Sequence, residues 1–145
     1  MRRIFQVTDH KEEIMKNIKL GLVIATGIVL VVACAHTASI VNISNAPIQT
    51  GSGQKPSLAA VGKAITNAGE SLGWKMRTVT PGTIEGALNW NVHTAVVLVT
   101  YNTENYSINY KNSENLKYDG TKIHKNYNLY VMKLDSGIQA QLKTL

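Results

Sequence analysis

Fourteen consecutive uncharged residues, Leu20 to Ala33 (LGLVIATGIVLVVA), run directly into the chain's single cysteine, Cys34. The run falls short of the about 20 apolar residues that a helix needs to span a bilayer. Its length is that of the apolar region of a secretory signal peptide, and Lys16 and Lys19 supply the positive charge expected before such a region. The alternative is an uncleaved membrane anchor. No Lys, Arg, Asp or Glu occurs between Leu20 and Lys55, which favours an anchor. However, His36, Thr37, Ser39 and Asn42 are polar, so the apolar core ends with Ala33.

The run closes with Val31-Val32-Ala33-Cys34. Small residues before a cut let the chain enter a narrow peptidase cleft in extended form, and a cysteine directly after it can carry a lipid on its sulfur. The stretch resembles the lipobox of bacterial lipoproteins. That pattern has a branched apolar residue, two small tolerant positions and then cysteine, and Val31 is the less usual residue at its first position. The resemblance implies cleavage before Cys34, a diacylglyceryl (palmitate-type) anchor on Cys34, and membrane attachment through that N-terminal lipid. Ala35 is not aspartate. In Gram-negative lipoproteins this implies the outer membrane, facing the periplasm. Residues 1–14 are polar and mixed in charge, whereas Met15 opens a compact leader of its own, so translation is expected to start at Met15, the alternative being a leader with an elongated n-region. The organisation expected is a signal peptide over 1–33, a lipidated N-terminus and flexible linker over 34–55, and one small domain over 56–145.

The 145 residues allow one domain. Five of the fifteen basic and three of the nine acidic residues precede Cys34, so the part after the cut carries a formal charge of +4. That mild excess suits loose association with anionic lipid or cell-wall surfaces. No dense Lys/Arg stripe and no nucleic-acid-binding motif occurs, so nucleic acid is not an expected partner. One cysteine excludes an intramolecular disulfide.

The pattern after the leader predicts an α+β domain: a helix, a four-stranded antiparallel meander and a C-terminal helix, with both helices on one face of the sheet. Gln49 to Gln54 (QTGSGQ) reads as a flexible linker, and a short strand over 38–43 has weak support. The first helix is expected from Ser57 to Leu72, with Ser57 as N-cap and Gly73 just past the end. Strands are expected over 74–79, 83–90, 93–101 and 106–111. The apolar run of 95–99 marks the third as central, and the last is expected at the sheet edge. The connections are too short for parallel crossovers. Ile123, Tyr127, Tyr130, Val131, Leu134, Ile138 and Leu142 form the stripe of a last helix from Lys122 to Leu142, in which Gly137 is expected to mark a kink or break.

Catalytic patterns are missing: Ser107 and Ser113 lack a GxSxG context, and Gly51-Ser52-Gly53 is neither a P-loop nor a dinucleotide turn. His36, His93 and His124 stand at no metal-ligand spacing. His93 reads as a hydrogen-bonded strand residue and His124 as a cap or surface residue. No metal or cofactor is expected. The segment from Tyr106 to Tyr118 is dense in hydroxyls, amides and aromatic rings, the composition of an adaptable contact surface and also of a strand followed by Asx-type turns. Tyr106, Ser107, Tyr110, Ser113, Asn115 and Tyr118, joined by His124, Tyr127 and Asn128 from the last helix, are the candidate contact residues.

Gly73-Trp74, Pro81-Gly82, His93, the segment YSINY at 106–110, SENL at 113–116 and IHKNYN at 123–128 together resemble a group of small proteobacterial lipoproteins with no assigned activity. The resemblance covers about residues 57–142 and transfers no catalytic residue. The expectation is a non-enzymatic envelope lipoprotein that binds an envelope protein or cell-wall component or serves structurally. The alternatives are a signal-anchored inner-membrane protein with the same domain, or a small envelope hydrolase.

Overall fold

The computed structural model describes residues 36–145. Cys34 and the leader lie outside them. In chain order the elements are β1 (Thr37–Ser39), β2 (Ile43–Pro47), α1 (Leu58–Ser71), β3 (Lys75–Thr80), β4 (Thr83–Trp90), β5 (His93–Tyr101), β6 (Asn105–Glu114), β7 (Lys122–His124) and α2 (Lys125–Leu142). The class is α+β. The larger sheet is antiparallel and five-stranded, in the order β2-β6-β5-β4-β3.

The meander from β3 to β6 is therefore present, but a fifth strand extends it. Strand β2 pairs with β6 through Ile43 opposite Ile108 and Ala46 opposite Tyr106. Strand β6 is not an edge, and the segment expected to be a linker is partly sheet. The reason is compositional: Ile43-Ser-Asn-Ala-Pro47 has one strong strand former, and its pairing comes from β6 rather than from intrinsic preference. Asn45, at φ 50°, sits where the β2 register shifts, and its N–H donates to Ser107 Oγ at 3.0 Å. A second, two-stranded sheet pairs β1 with β7, Thr37 opposite His124 and Ser39 opposite Lys122. The weakly supported strand over 38–43 thus resolves into two strands in different sheets.

Helix α1 is capped as its sequence implies. Ser57 Oγ accepts from Ala60 N at 3.1 Å. At the other end Gly73, at φ 85°, takes the left-handed conformation that lets Gly73 N reach Glu70 O and Trp74 N reach Gly69 O. Helix α2 begins three residues later than its apolar stripe implies, because residues 122–124 are drawn into β7 and His124 becomes the N-cap. The helix runs unbroken through Gly137. A Cβ at 137 would come within 3.0 Å of Leu72 Cδ1, so the glycine lets α1 pass closely.

One parity of each central strand is buried: Ile84, Gly86 and Leu88 on β4, Ala95, Val97 and Val99 on β5, Tyr106 and Ile108 on β6. Val61, Ala64, Ile65 and Ala68 of α1 and Tyr127, Val131, Leu134, Ile138 and Leu142 of α2 join them in one hydrophobic core. On the other parity Glu85 bonds both Arg77 (2.7 Å) and Lys111, which ties β3, β4 and β6 across the sheet. These charges hold the Glu85 carboxyl below its usual range, with the Lys111 bond as the largest cause and the Arg77 bond next. Among the described residues, no helix is long and apolar enough to cross a membrane.

Candidate functional site

A bulge in β6 sets the geometry of the tyrosine-rich segment. Val97 pairs with Tyr110, but Val96 pairs with Asn112, so Lys111 is the extra residue. The shift turns Tyr110 and Ser113 toward the same side, where Tyr110 Oη and Ser113 Oγ lie 3.0 Å apart. The Tyr118 ring packs on Tyr110 at 4.2 Å between centroids, and the Tyr127 ring meets Tyr110 edge-on at 5.7 Å. Three tyrosines widely spaced in sequence thereby form one cluster. They differ in exposure: Tyr118 is 38% exposed, Tyr110 is half-buried and Tyr127 is fully buried.

The remaining candidate side chains are engaged inside the molecule. Tyr106 is fully buried and donates to Asp135 Oδ1 at 2.6 Å. Ser107 holds β2 through Asn45 N. Asn115 donates from Nδ2 to Val92 O, and its own carbonyl accepts from His93 Nδ1 at 2.9 Å. Tyr118 Oη donates to Gly120 O at 3.1 Å. Asn128 accepts from Val41 N at 3.0 Å and donates to Ser39 O at 2.8 Å, an amide clasp that closes residues 39–41 onto α2. Of the nine, Tyr106 and Tyr127 present no ring surface to solvent. The Tyr127 hydroxyl is buried with no hydrogen-bond partner, and burial pushes the phenol's pKa up.

A second cluster has no counterpart in sequence spacing. The His36 and His124 rings stack at 6.4 Å with 3° between planes, and His124 stacks on His93 at 5.8 Å. His93 lies 5.5 Å from Trp90, whose indole is 4.7 Å from the Tyr130 ring. The β1–β7 pairing, the β4–β5 turn and the start of α2 bring these five rings into one row. The two bonded imidazoles have opposite tautomers. His93 Nδ1 faces a carbonyl and must carry its hydrogen, whereas His124 Nδ1 accepts from Asn126 N at 3.2 Å and must be bare. Both match the strand and cap roles read from the sequence. Partial burial pushes the His124 pKa down, and the charges of His93, His36, Lys117 and Lys125 push it further. The imidazoles lie face to face, and among the described residues no three His, Cys, Asp or Glu are arranged to hold a metal ion.

No family model, no curated protein and no solved structure matches the chain.

Proposed function

We propose that the chain is a bacterial envelope lipoprotein, cut before Cys34, lipidated there, and held at the periplasmic side of the outer membrane. One observation carries this reading: an apolar run of lipoprotein-leader length, preceded by Lys16 and Lys19, ends in Val-Val-Ala immediately before the only cysteine. The domain acts as a non-enzymatic binding or structural module for an envelope protein or cell-wall component. What supports that part is the use of polar side chains. The hydroxyls and amides of 106–128 fasten β2 and α2 to β6, and residues 39–41 to α2. Tyr110, Ser113 and Tyr118 form the proposed contact patch. Both helices cover one face of the sheet, a reading supported by the single buried parity of β4, β5 and β6.

Metabolic labelling with radioactive palmitate in a bacterial host tests the reading. The parent chain takes up label and migrates at its processed size. Cys34→Ala loses the label and accumulates unprocessed. Palmitate incorporation that is the same in both chains overturns it.

A further inference from the structure

We propose that the end of the domain carrying Trp90, Val92, Leu129 and Tyr130 docks on the surface of an anionic bilayer, so that the domain lies against the membrane rather than standing off it. The proposal rests on the lipoprotein reading and adds an orientation to it.

His36 is not on a loose tether. Its carbonyl accepts from Lys125 N at 3.0 Å and its ring stacks on His124. From there β1, the Asn128 clasp and β2 fix the chain continuously to the domain. Cys34 is two residues before His36. At about 3.3–3.6 Å per residue, the chain between them spans no more than about 7 Å. A lipid on Cys34 therefore brings this end of the domain to the headgroups, whatever the conformation of the intervening residue.

Val92 caps the β4–β5 turn at 71% exposure, the largest among the exposed large hydrophobic side chains of the described residues. Asn115 fixes the turn by bonding the Val92 carbonyl, and His93, next in the chain, stacks on His124. On α2, Leu129 is 49% and Met132 56% exposed, and Leu129 directly precedes Tyr130. Trp90 packs on Tyr130, and both rings are half-buried, an arrangement suited to the interface, where one edge of an aromatic ring is apolar and the other wet. Apolar side chains this exposed, next to an indole and a phenol, match a membrane interface better than open water.

The segment 114–133, which holds β7 and the first turns of α2, carries Lys117, Lys122, Lys125 and Lys133, and Lys133 Nζ sits 5.8 Å from the Tyr130 centroid. The carboxylates of the same segment are Glu114 and Asp119. Glu114 accepts from Thr94, and Asp119 is engaged by the N–H groups of Thr121 and Lys122 in its own loop. Four lysines against two carboxylates leave this segment positive, complementary to anionic headgroups and screened by salt.

The test uses the full chain, matured with its lipid and reconstituted into phosphatidylcholine vesicles with and without phosphatidylglycerol. The Cys34 sulfur is consumed as a thioether, so Val92→Cys takes a nitroxide label at one place only. Ser52→Cys, beside the far end of α2, serves as the control. The expected result is that the label at 92 is shielded from a water-soluble nickel relaxant and accessible to oxygen, that the label at 52 is not, and that phosphatidylglycerol widens the contrast. Lys125→Glu with Lys133→Glu should narrow it severalfold without loss of lipid. If mass spectrometry shows diacylglyceryl on Cys34 while label 92 is as water-exposed as label 52, the docking surface is wrong and the lipoprotein reading stands. If the N-terminal peptide carries no lipid, both are wrong. Shielding at 92 that appears only at high protein density, and not with lipid composition, marks contact between copies of the chain and overturns the proposal.

Discussion

Tyr106 and Tyr127 are both fully buried, yet only Tyr106 has a hydrogen-bond partner: its hydroxyl donates to Asp135 across 2.6 Å, whereas the Tyr127 hydroxyl has none. Identical chemistry in two settings gives a clean comparison. Hydrogen bonds to a charged acceptor contribute about 1.5–3 kcal/mol, so Tyr106→Phe should lower the unfolding free energy by about that amount. Tyr127→Phe removes a hydroxyl that burial penalises and should leave stability unchanged or raise it by about 1 kcal/mol. Urea unfolding of the two variants decides the matter, and equal losses would contradict the assignment. Both phenols have pKa values raised above 10, chiefly by burial. The unfolded chain therefore loses these protons first. The stability linked to them is complete below pH 10 and falls as pH rises beyond it.

His124 makes the start of α2 sensitive to acid. Its Nδ1 must be bare to accept from Asn126 N, and its pKa is pushed below 6.5 by burial and by His93, His36, Lys117 and Lys125. The folded state thus binds this proton less readily than the unfolded state. The associated stability is present above pH 6.5 and is lost as pH falls through the lower folded value. Hydrogen exchange at the Asn126 amide should accelerate over that interval beyond its intrinsic pH dependence. His124→Asn keeps a capping acceptor that does not titrate in this range. It should flatten the profile, and an unchanged profile would mean that another group controls it.

Asn128 closes the strap. With Val41 N and Ser39 O both bonded to one side chain, Asn128→Ala leaves two backbone groups to find other partners, at a cost of about 1–3 kcal/mol. The effect should be local. Amides of residues 39–42 should lose exchange protection and the chain should become cleavable there by protease, while the amides of β4 and β5 keep theirs. Asn128→Asp retains the acceptor for Val41 N but not the donor to Ser39 O, so it should fall between the two. Uniform loss of protection across the domain would show that the strap is not a separate unit.

What the sequence reveals here follows the range of the interactions. Ser57 and Gly73 announce the ends of α1 because caps act through neighbours two or three residues away. The stripe 127–131–134–138–142 announces α2, and the alternation in 83–90 announces β4, because periodicity is local too. Strand β2 escapes because Ile43-Ser-Asn-Ala-Pro47 has little strand preference and is held by β6, about sixty positions away. The same pairing turns the expected edge strand into an interior one. The β6 bulge at Lys111 defeats parity counting, so the Tyr110–Ser113 pair is invisible until the register with β5 is known. The histidine row is less legible still. His36, His93 and His124 have no mutual spacing that means anything, and only the β1–β7 pairing and the β4–β5 turn bring them together.

Leu134 and Leu129 lie on the same helix and separate burial from exposure. Leu134 is fully buried at the middle of the α2 stripe, whereas Leu129 is half exposed on the opposite side. A buried leucine cut to alanine loses its transfer free energy and leaves a cavity that its neighbours fill only in part, so Leu134→Ala should cost about 2–5 kcal/mol. For a domain of this size that corresponds to a fall of roughly 8–20 °C in melting temperature. Leu129→Ala removes side-chain area that already meets water and should change stability in solution by less than about 0.5 kcal/mol. The same Leu129→Ala chain should show weaker shielding of a nitroxide at Val92→Cys on phosphatidylglycerol vesicles, because the removed side chain belongs to the docking face. Thermal unfolding in detergent-free buffer measures the first pair of effects, and vesicle reconstitution measures the second. Comparable losses in solution from the two leucines would mean that α2 is rotated about its axis from the orientation described, and both the core stripe and the membrane face would have to be redrawn.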